Sequence, residues 1–311
     1  MRTAMSPAAK LTLGPVLYNW PAEVKRDFYF RIADEAAIDV VYLGEVVCSK
    51  RSSFFEPYVP EVSERLARAG KEVVHSTLAL IMNEREMETV RALAAAPDMR
   101  VEANDISGAA LLAGRPHVIG PFVNVYNEGT LEVLVRGGAD RVVLPCELPV
   151  GSLEVLGRAA GNAELEVQVF GRLPLALSAR CYHARAHDLH KDGCRYVCEE
   201  DPDGMALETL EGDGFLAVNG TQTLSHTLCS LLRELEKLRD LGIGCFRLWP
   251  QSVDMVAVAG IFQGVLDGRD DLAEAEARLR ELVDIAPFSN GFYHGREGAD
   301  LVAAETFSPA G

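Results

Sequence analysis

The chain has 311 residues, 48% hydrophobic and 24% charged, enough for one large domain or two smaller ones with a core that needs no disulfide. Its formal charge of −16 argues against a direct nucleic-acid binder, because phosphate contacts rest on clustered lysine and arginine, and against binding to anionic lipid. No run of about 20 apolar residues occurs, so no membrane span is predicted. The first twenty residues also lack an apolar core ahead of a small-residue cleavage site, so no signal peptide is read and a cytoplasmic location is expected.

From the start of the chain, apolar strands alternate with amphipathic helices. "KLTLGPVLY" predicts a strand and "PAEVKRDFYFRIADEA" a helix with Pro21 in its first turn. "DVVYLGE" reads as a buried strand, "VPEVSERLARAG" as a helix closed by Gly70, and "KEVVHSTLAL" as a strand. Asn83 is an N-cap for "NEREMETVRALAAAP". Strand and helix then alternate through "MRVEANDIS", "GAALLAGR", "PHVIGPFVNVYN", "EGTLEVLVRGG", "ADRVVLPCEL", "GSLEVLGRAAGN" and "ELEVQVFGRLPLALS". Beyond a polar stretch come a strand, "GFLAVNG", and a helix read over "TLSHTLCSLLRELEKLRDLG". "IGCFRLWPQS" is the next strand, followed by helices over "VDMVAVAGIFQGVLDG" and "DLAEAEARLRELVD".

About eight strand–helix units with strands apolar on both faces predict an α/β fold, a (β/α)8 TIM-barrel-like single domain over 1–311. A doubly wound open sheet is the runner-up. The largest irregularity is a cysteine-bearing insertion near 180–215. Residues 1–10 and 297–311 are expected to be flexible ends.

A barrel puts its active site at the C-terminal ends of its strands. The polar residues there are Glu45, Cys48, Ser76, Thr77, Glu102, Asn104, Asp105, Asn124, Asn127, Glu147, Arg180, Cys181, Asn219, Arg247 and Gln251; several of them also suit helix caps. Glu45, Glu147 and Arg180 are the catalytic candidates. Arg180, Arg185 and Arg247 carry the planar guanidinium that grips a carboxylate, Arg185 being the better suited of the three to a surface ion pair.

"SARCYHARAHDLHKDGCRYVCEEDPDG" concentrates Cys181, Cys194 and Cys198 with His183, His187 and His190. The spacing of Cys194 and Cys198 puts both thiols on one face of a helical turn. Cys48, after a strand end in "LGEVVCSKR", is the best fourth partner, with basic neighbours that favour a thiolate. An odd count of seven cysteines argues against a pure disulfide framework. Spacing leaves a [4Fe-4S] cluster and structural zinc level, with a non-metal role as a third possibility. The histidines read as solvated loop residues, with His183 close enough to line the site. Cys229 and Cys245 read as core hydrophobes, and Cys146 as core near the rim.

No G-x-S-x-G, G-x-x-x-x-G-K-[ST], H-E-x-x-H or G-x-G-x-x-G pattern is present. The segments "LTLGPVLYNWP", "DVVYLGEVVCSKR", "HSTLALI", "VEANDIS", "NVYN", "LPCELP", "GRLPLALSARCYHAR" and "VNGTQTLS" together resemble the collagenase-like peptidase family, family U32, over nearly the whole chain. The resemblance implies a [4Fe-4S] cluster on Cys48, Cys181, Cys194 and Cys198 and pairing with a second family member as a heterodimer. It further implies oxygen-independent ring hydroxylation in anaerobic ubiquinone biosynthesis, on an aromatic prenylated quinone precursor and with prephenate as oxygen source. Other members of the family hydroxylate RNA bases, a reading the acidity disfavours. A zinc-stabilised barrel serving as an interaction protein is the remaining alternative. Nothing in the sequence supports proteolysis.

Overall fold

In the computed structural model, which describes residues 9–303, eight parallel strands close on themselves. They are β1 (Lys10–Leu13), β2 (Val40–Leu43), β3 (Glu72–Ser76), β4 (Arg100–Ala103), β5 (His117–Ile119), β6 (Ala139–Val143), the first part of β7 (Glu164–Leu177), and β11 (Cys245–Leu248). Each pairs with its neighbour, and β11 bonds to both β1 and β7, so no edge is left open. The expected barrel is therefore present. The expected flexible ends fall largely outside the described residues; of the remainder, Val302 donates its N–H to Asn290 Oδ1 at 2.7 Å.

Around the barrel run α1 (Ala22–Glu35), α2 (Ser49–Phe55), α3 (Val59–Arg68), α4 (Glu84–Ala95), α5 (Ile106–Leu111), α6 (Glu128–Arg136) and α7 (Val150–Ala159). Asn83, Asp105 and Asn127 accept from the first-turn N–H groups of α4, α5 and α6, satisfying donors that a helix start leaves unpaired. Asp105 and Asn127 thus serve as caps.

The period-2 alternation of the strands sorts their side chains. Leu11, Leu13, Leu165, Val167, Phe246 and Leu248 join the main apolar core. Their neighbours Thr12, Glu166 and Arg247 are buried polar residues that meet one another. Arg247 Nε donates to Glu166 Oε1 at 2.6 Å, Thr12 Oγ1 donates to the same oxygen at 2.6 Å, and Tyr42 donates to Glu166 Oε2 at 2.7 Å. The Arg247 guanidinium also lies over the Tyr42 ring, 4.0 Å from its centroid. Such barrels usually stack branched apolar residues inside; here the buried cluster of Val40, Tyr42, Val74, Val118 and Val143 shares the interior with this charged network.

The excursion between the last two barrel strands is larger and more ordered than an insertion near 180–215 suggests. β7 continues past the barrel and pairs antiparallel with β10 (Gln222–Ser230), which pairs with β9 (Gly214–Asn219), which pairs with β8 (Met205–Glu208). Before this sheet lies α8 (Tyr182–Ala186), and after it α9 (Leu235–Asp240). The helix expected over 223–242 is thus largely a strand followed by a short helix. Its first half, "TLSHTLCS", is rich in β-branched and short polar residues and has a long β7 to pair with, which overrides helical periodicity. The chain closes with α10 (Met255–Leu266), α11 (Leu272–Leu282) and β12 (Phe288–Ser289), which pairs with β10. Among the described residues no helix is long and apolar enough to cross a membrane.

Candidate metal centre

Cys48 sits just past β2, immediately before α2. Glu45 shapes this turn: its Oε1 accepts from the N–H groups of Val47 and Cys48, each at 2.9 Å. That gives Glu45 a positioning task beside the thiol.

Cys181 precedes α8, and its Sγ accepts from Ala184 N–H at 3.4 Å. Cys194 and Cys198 do not share a helical turn, contrary to their i, i+4 spacing. Between them Arg195 and Tyr196 adopt left-handed backbone, φ 51° and 57°, a conformation costing about 1–3 kcal/mol for a non-glycine residue. The reversal brings the Tyr196 ring edge-on against Phe54 of α2, with centroids 4.7 Å apart. Tertiary packing across to α2 accompanies a local path that sequence spacing alone does not produce.

The four thiols line a single pocket, shared with Lys50, Arg51, His183, Lys191 and Gly220. Arg51 is buried. Its Nη1 donates to Leu17 O at 2.8 Å and its Nη2 to Asn219 Oδ1 at 3.0 Å, while its Nε has no hydrogen-bond partner. Burial opposes its charge, but Glu45, Cys198 and Cys48 together hold it protonated beyond the ordinary arginine range. Burial pushes the Cys48 and Cys198 thiols up, and Arg51 draws both back down. A cation set among thiols stabilises thiolates, the form that binds metal. The chain is strongly acidic overall, yet Lys50, Arg51 and Lys191 make this pocket locally basic.

The donor set fits a soft metal or an iron–sulfur group. Cys48, Cys181, Cys194 and Cys198 would hold it, and Arg51 would offset its negative charge. Among the described residues, three donor atoms come within 4.8 Å of one another at His183, His187 and Asp201; no trio of the thiols meets that spacing.

His183 departs from the solvated loop position expected of it. It is fully buried, with its backbone N–H directed at Gly220 O. Burial holds its imidazole below the usual histidine range, partly countered by Asp201. His187 and His190 are exposed.

Next to the pocket, Leu17, Val46, Val47 and Trp249 form a buried apolar cluster on which Cys48, Ala79 and Phe122 pack. Gly14 makes room for it: a Cβ there would come within 2.6 Å of the Trp249 ring. A thiol of the pocket therefore borders an apolar surface at the C-terminal mouth of the barrel.

The other candidates lie elsewhere. Glu147 accepts from Tyr126 and from Cys146 Sγ and does not line the thiol pocket; Cys146 lines a separate cavity with Asn290 and Tyr293. Arg180 and Arg185 are exposed and border an outer groove that reaches Cys181. Arg247 is the clearest correction. It is fully buried and paired with Glu102 at 2.8 Å and Glu166 at 2.6 Å, so it is committed to the barrel interior and not free for a substrate carboxylate. Ser76 and Asn104 join it by donating to Glu102 Oε2 at 2.6 and 3.0 Å. Asn219 braces Arg51, Gln251 accepts from Tyr18 at 3.1 Å, and Asn124 is an exposed left-handed turn residue. Cys229 and Cys245 are buried in β10 and β11. Sequence reasoning saw Arg51 only as part of a basic run; the apolar and small residues around it gave no sign that it turns inward.

A family model described as Peptidase family U32 matches residues 29–303. The tRNA hydroxylation protein P2 of Bacillus subtilis (strain 168) is 26% identical over 185 residues, which is 56% of this chain and 53% of that protein. The chain thus spans about half the length of this curated relative. Among solved structures, a chain of the tryptophan synthase complex from Pyrococcus furiosus matches with a TM-score of 0.43 at 10% identity, covering 90% of this chain and 99% of its own. An uncharacterized protein from Clostridium thermocellum that binds two copies of 5-methyl-5,6,7,8-tetrahydrofolic acid matches with a TM-score of 0.42 at 9% identity, covering 85% of this chain and 96% of its own.

Proposed function

The chain belongs to peptidase family U32, and from that premise we propose that it is the iron–sulfur subunit of an oxygen-independent hydroxylase. The observation that carries this reading is the gathering of Cys48 with Cys181, Cys194 and Cys198 around the buried Arg51. Four thiols against a cation make a cradle for an anionic [4Fe-4S] cluster, which supplies one-electron transfer when bound.

The finer reading is a UbiV-like protein of anaerobic ubiquinone biosynthesis, joined to a UbiU-like family member as a heterodimer. Its substrate is an aromatic prenylated quinone precursor, with prephenate as the source of oxygen. The buried apolar cluster of Leu17, Val46, Val47 and Trp249 on which Cys48 packs supports it, since it gives the Cys48 side of the thiol pocket an apolar, water-poor backing. Glu45 holds the Cys48 turn, and Arg180 stands at the rim of the outer groove with a guanidinium suited to a carboxylate.

A second reading is RNA-base hydroxylation, favoured by the named activity of the Bacillus relative. The net charge of −16 weighs against it, since RNA binding needs a basic track.

Anaerobic purification with iron and sulfide analysis tests the cofactor. About four irons per chain, with broad cysteine-to-iron absorption, are expected; stoichiometric zinc without that band would overturn the iron–sulfur reading in favour of a zinc-stabilised interaction protein. Co-purification of a second family member, and quinone profiles of a deletion strain grown without oxygen, test the finer reading. Normal ubiquinone in that strain alongside a lost RNA hydroxylation would decide for the second.

A further inference from the structure

We propose that His183, His187 and Asp201 form a second metal site, a mononuclear centre for a divalent transition ion, adjoining the four-thiol pocket that His183 also lines. The two histidines are four positions apart at α8, so their side chains leave the same face. Their rings lie nearly parallel, 9° apart in plane and 5.7 Å between centroids. Asp201 arrives from the segment after Cys198, and the three donor atoms all lie within 4.8 Å of one another.

His183 supplies the independent observation. Its side chain is fully buried, and neither ring nitrogen has a hydrogen-bond partner. Nε2 stands 2.9 Å from Asp201 Oδ2, close enough for attraction yet without hydrogen-bond geometry. A buried imidazole with no well-aligned hydrogen bond is only partly satisfied by the nearby carboxylate, and a bound ion between imidazole and carboxylate would satisfy both.

Two imidazoles and one carboxylate suit Zn2+, Fe2+ or Co2+ better than the all-oxygen preferences of Mg2+ or Ca2+. Exposed His187 and half-exposed Asp201 let the ion enter from solvent, and three protein ligands leave a further position for water. His183 follows Cys181 by two residues and Asp201 follows Cys198 by three. An ion here would clamp α8 to the chain beyond Cys198 and hold two thiol-bearing stretches together. The inference holds whether the thiols carry iron–sulfur or zinc.

Co2+ is the probe, because its visible spectrum reports its ligands. It is titrated into the full chain with the thiol site already metal-loaded, and in parallel into a variant with Cys48, Cys181, Cys194 and Cys198 all replaced by serine. One equivalent is expected in each, with visible d–d bands and no thiolate charge-transfer band in the four-serine variant. His187→Ala and Asp201→Asn, both at solvent-accessible positions, should each weaken Co2+ binding by at least about tenfold with unchanged circular dichroism. Failure of the loaded protein to bind Co2+, or affinity in both single variants equal to that of the unsubstituted protein, would overturn the proposal. If the four-serine variant does not fold, the loaded protein decides alone.

Discussion

Arg51 and Asn219, 168 positions apart in the chain, are joined by a hydrogen bond of 3.0 Å from Nη2 to Oδ1. The bond ties α2, which follows Cys48, to the tip of the hairpin formed by β9 and β10. The same guanidinium donates to Leu17 O, so a single side chain links three segments of the thiol-pocket wall.

Replacing this cation tests its electrostatic task. Arg51→Met keeps much of the volume, removes the charge, and leaves Asn219 Oδ1 without its donor, while Leu17 O keeps the N–H of Asn219 Nδ2 at 2.8 Å. A stability loss of about 1–3 kcal/mol follows from stranding a buried acceptor. Metal content per chain should fall further than stability alone accounts for. Iron or zinc analysis beside urea denaturation separates the two, and full metal retention would contradict the charge-balancing role given to Arg51.

The cysteines should divide sharply. Cys194→Ala is expected to abolish metal binding in the thiol pocket, while Cys146→Ser, altering a thiol that lies in a different cavity, should leave it intact. Metal stoichiometry and the visible spectrum of the two purified variants decide this. A cluster surviving in Cys194→Ala would refute the ligand set.

Gly220 carries a geometric constraint of its own. It has φ 65°, and a Cβ there would come within 2.5 Å of Arg51 Nη2. Gly220→Ala should lower stability by about 1–3 kcal/mol and displace the guanidinium, reducing metal retention. Gly212 also has positive φ, 91°, but nothing lies within 4 Å of its Cβ position, so Gly212→Ala should cost about 1 kcal/mol and leave metal content unchanged. Thermal melts with metal analysis compare the pair.

The barrel interior predicts an acid response. Burial works against the charge of Glu166, yet Arg247 and Arg141 hold its carboxyl below the usual glutamate range. A depressed carboxyl contributes stability that is fully present above its unfolded value, about 4.3, and that is lost as pH falls through the lower folded value. Glu166→Gln should cost about 3–5 kcal/mol at neutral pH, since Arg247 loses a buried partner. Its unfolding free energy should also decline less steeply than the wild type's below pH 4.3 or so. Urea denaturation of both proteins across that range is the measurement.

How much of this was readable beforehand follows from the range of the forces involved. The parallel barrel was legible because strands such as "VVYL" are apolar on both faces and helix caps such as Asn83 act locally. The four thiols stood out by residue type, and Cys48 and Cys181 also by placement after strand ends. The path between Cys194 and Cys198 was not legible, because two left-handed residues, Arg195 and Tyr196, lie where tertiary packing brings Tyr196 against Phe54. Nor was β10, whose partner β7 outlasts the barrel. Arg247 looked like a substrate clamp because its buried partners, Glu102 and Glu166, come from strands 145 and 81 positions away.

The division of the thiol pocket between two remote stretches also sets an order of events during synthesis. Cys48 leaves the ribosome early, whereas its three companions follow β7, and the barrel closes only when β11 joins β1 to β7. A nascent chain therefore displays Cys48 without its pocket partners until Cys181, 133 positions later, has been made. All four sulfurs are available only once Cys198 has been made, so any ion or cluster that they hold together is loaded late in synthesis or after it.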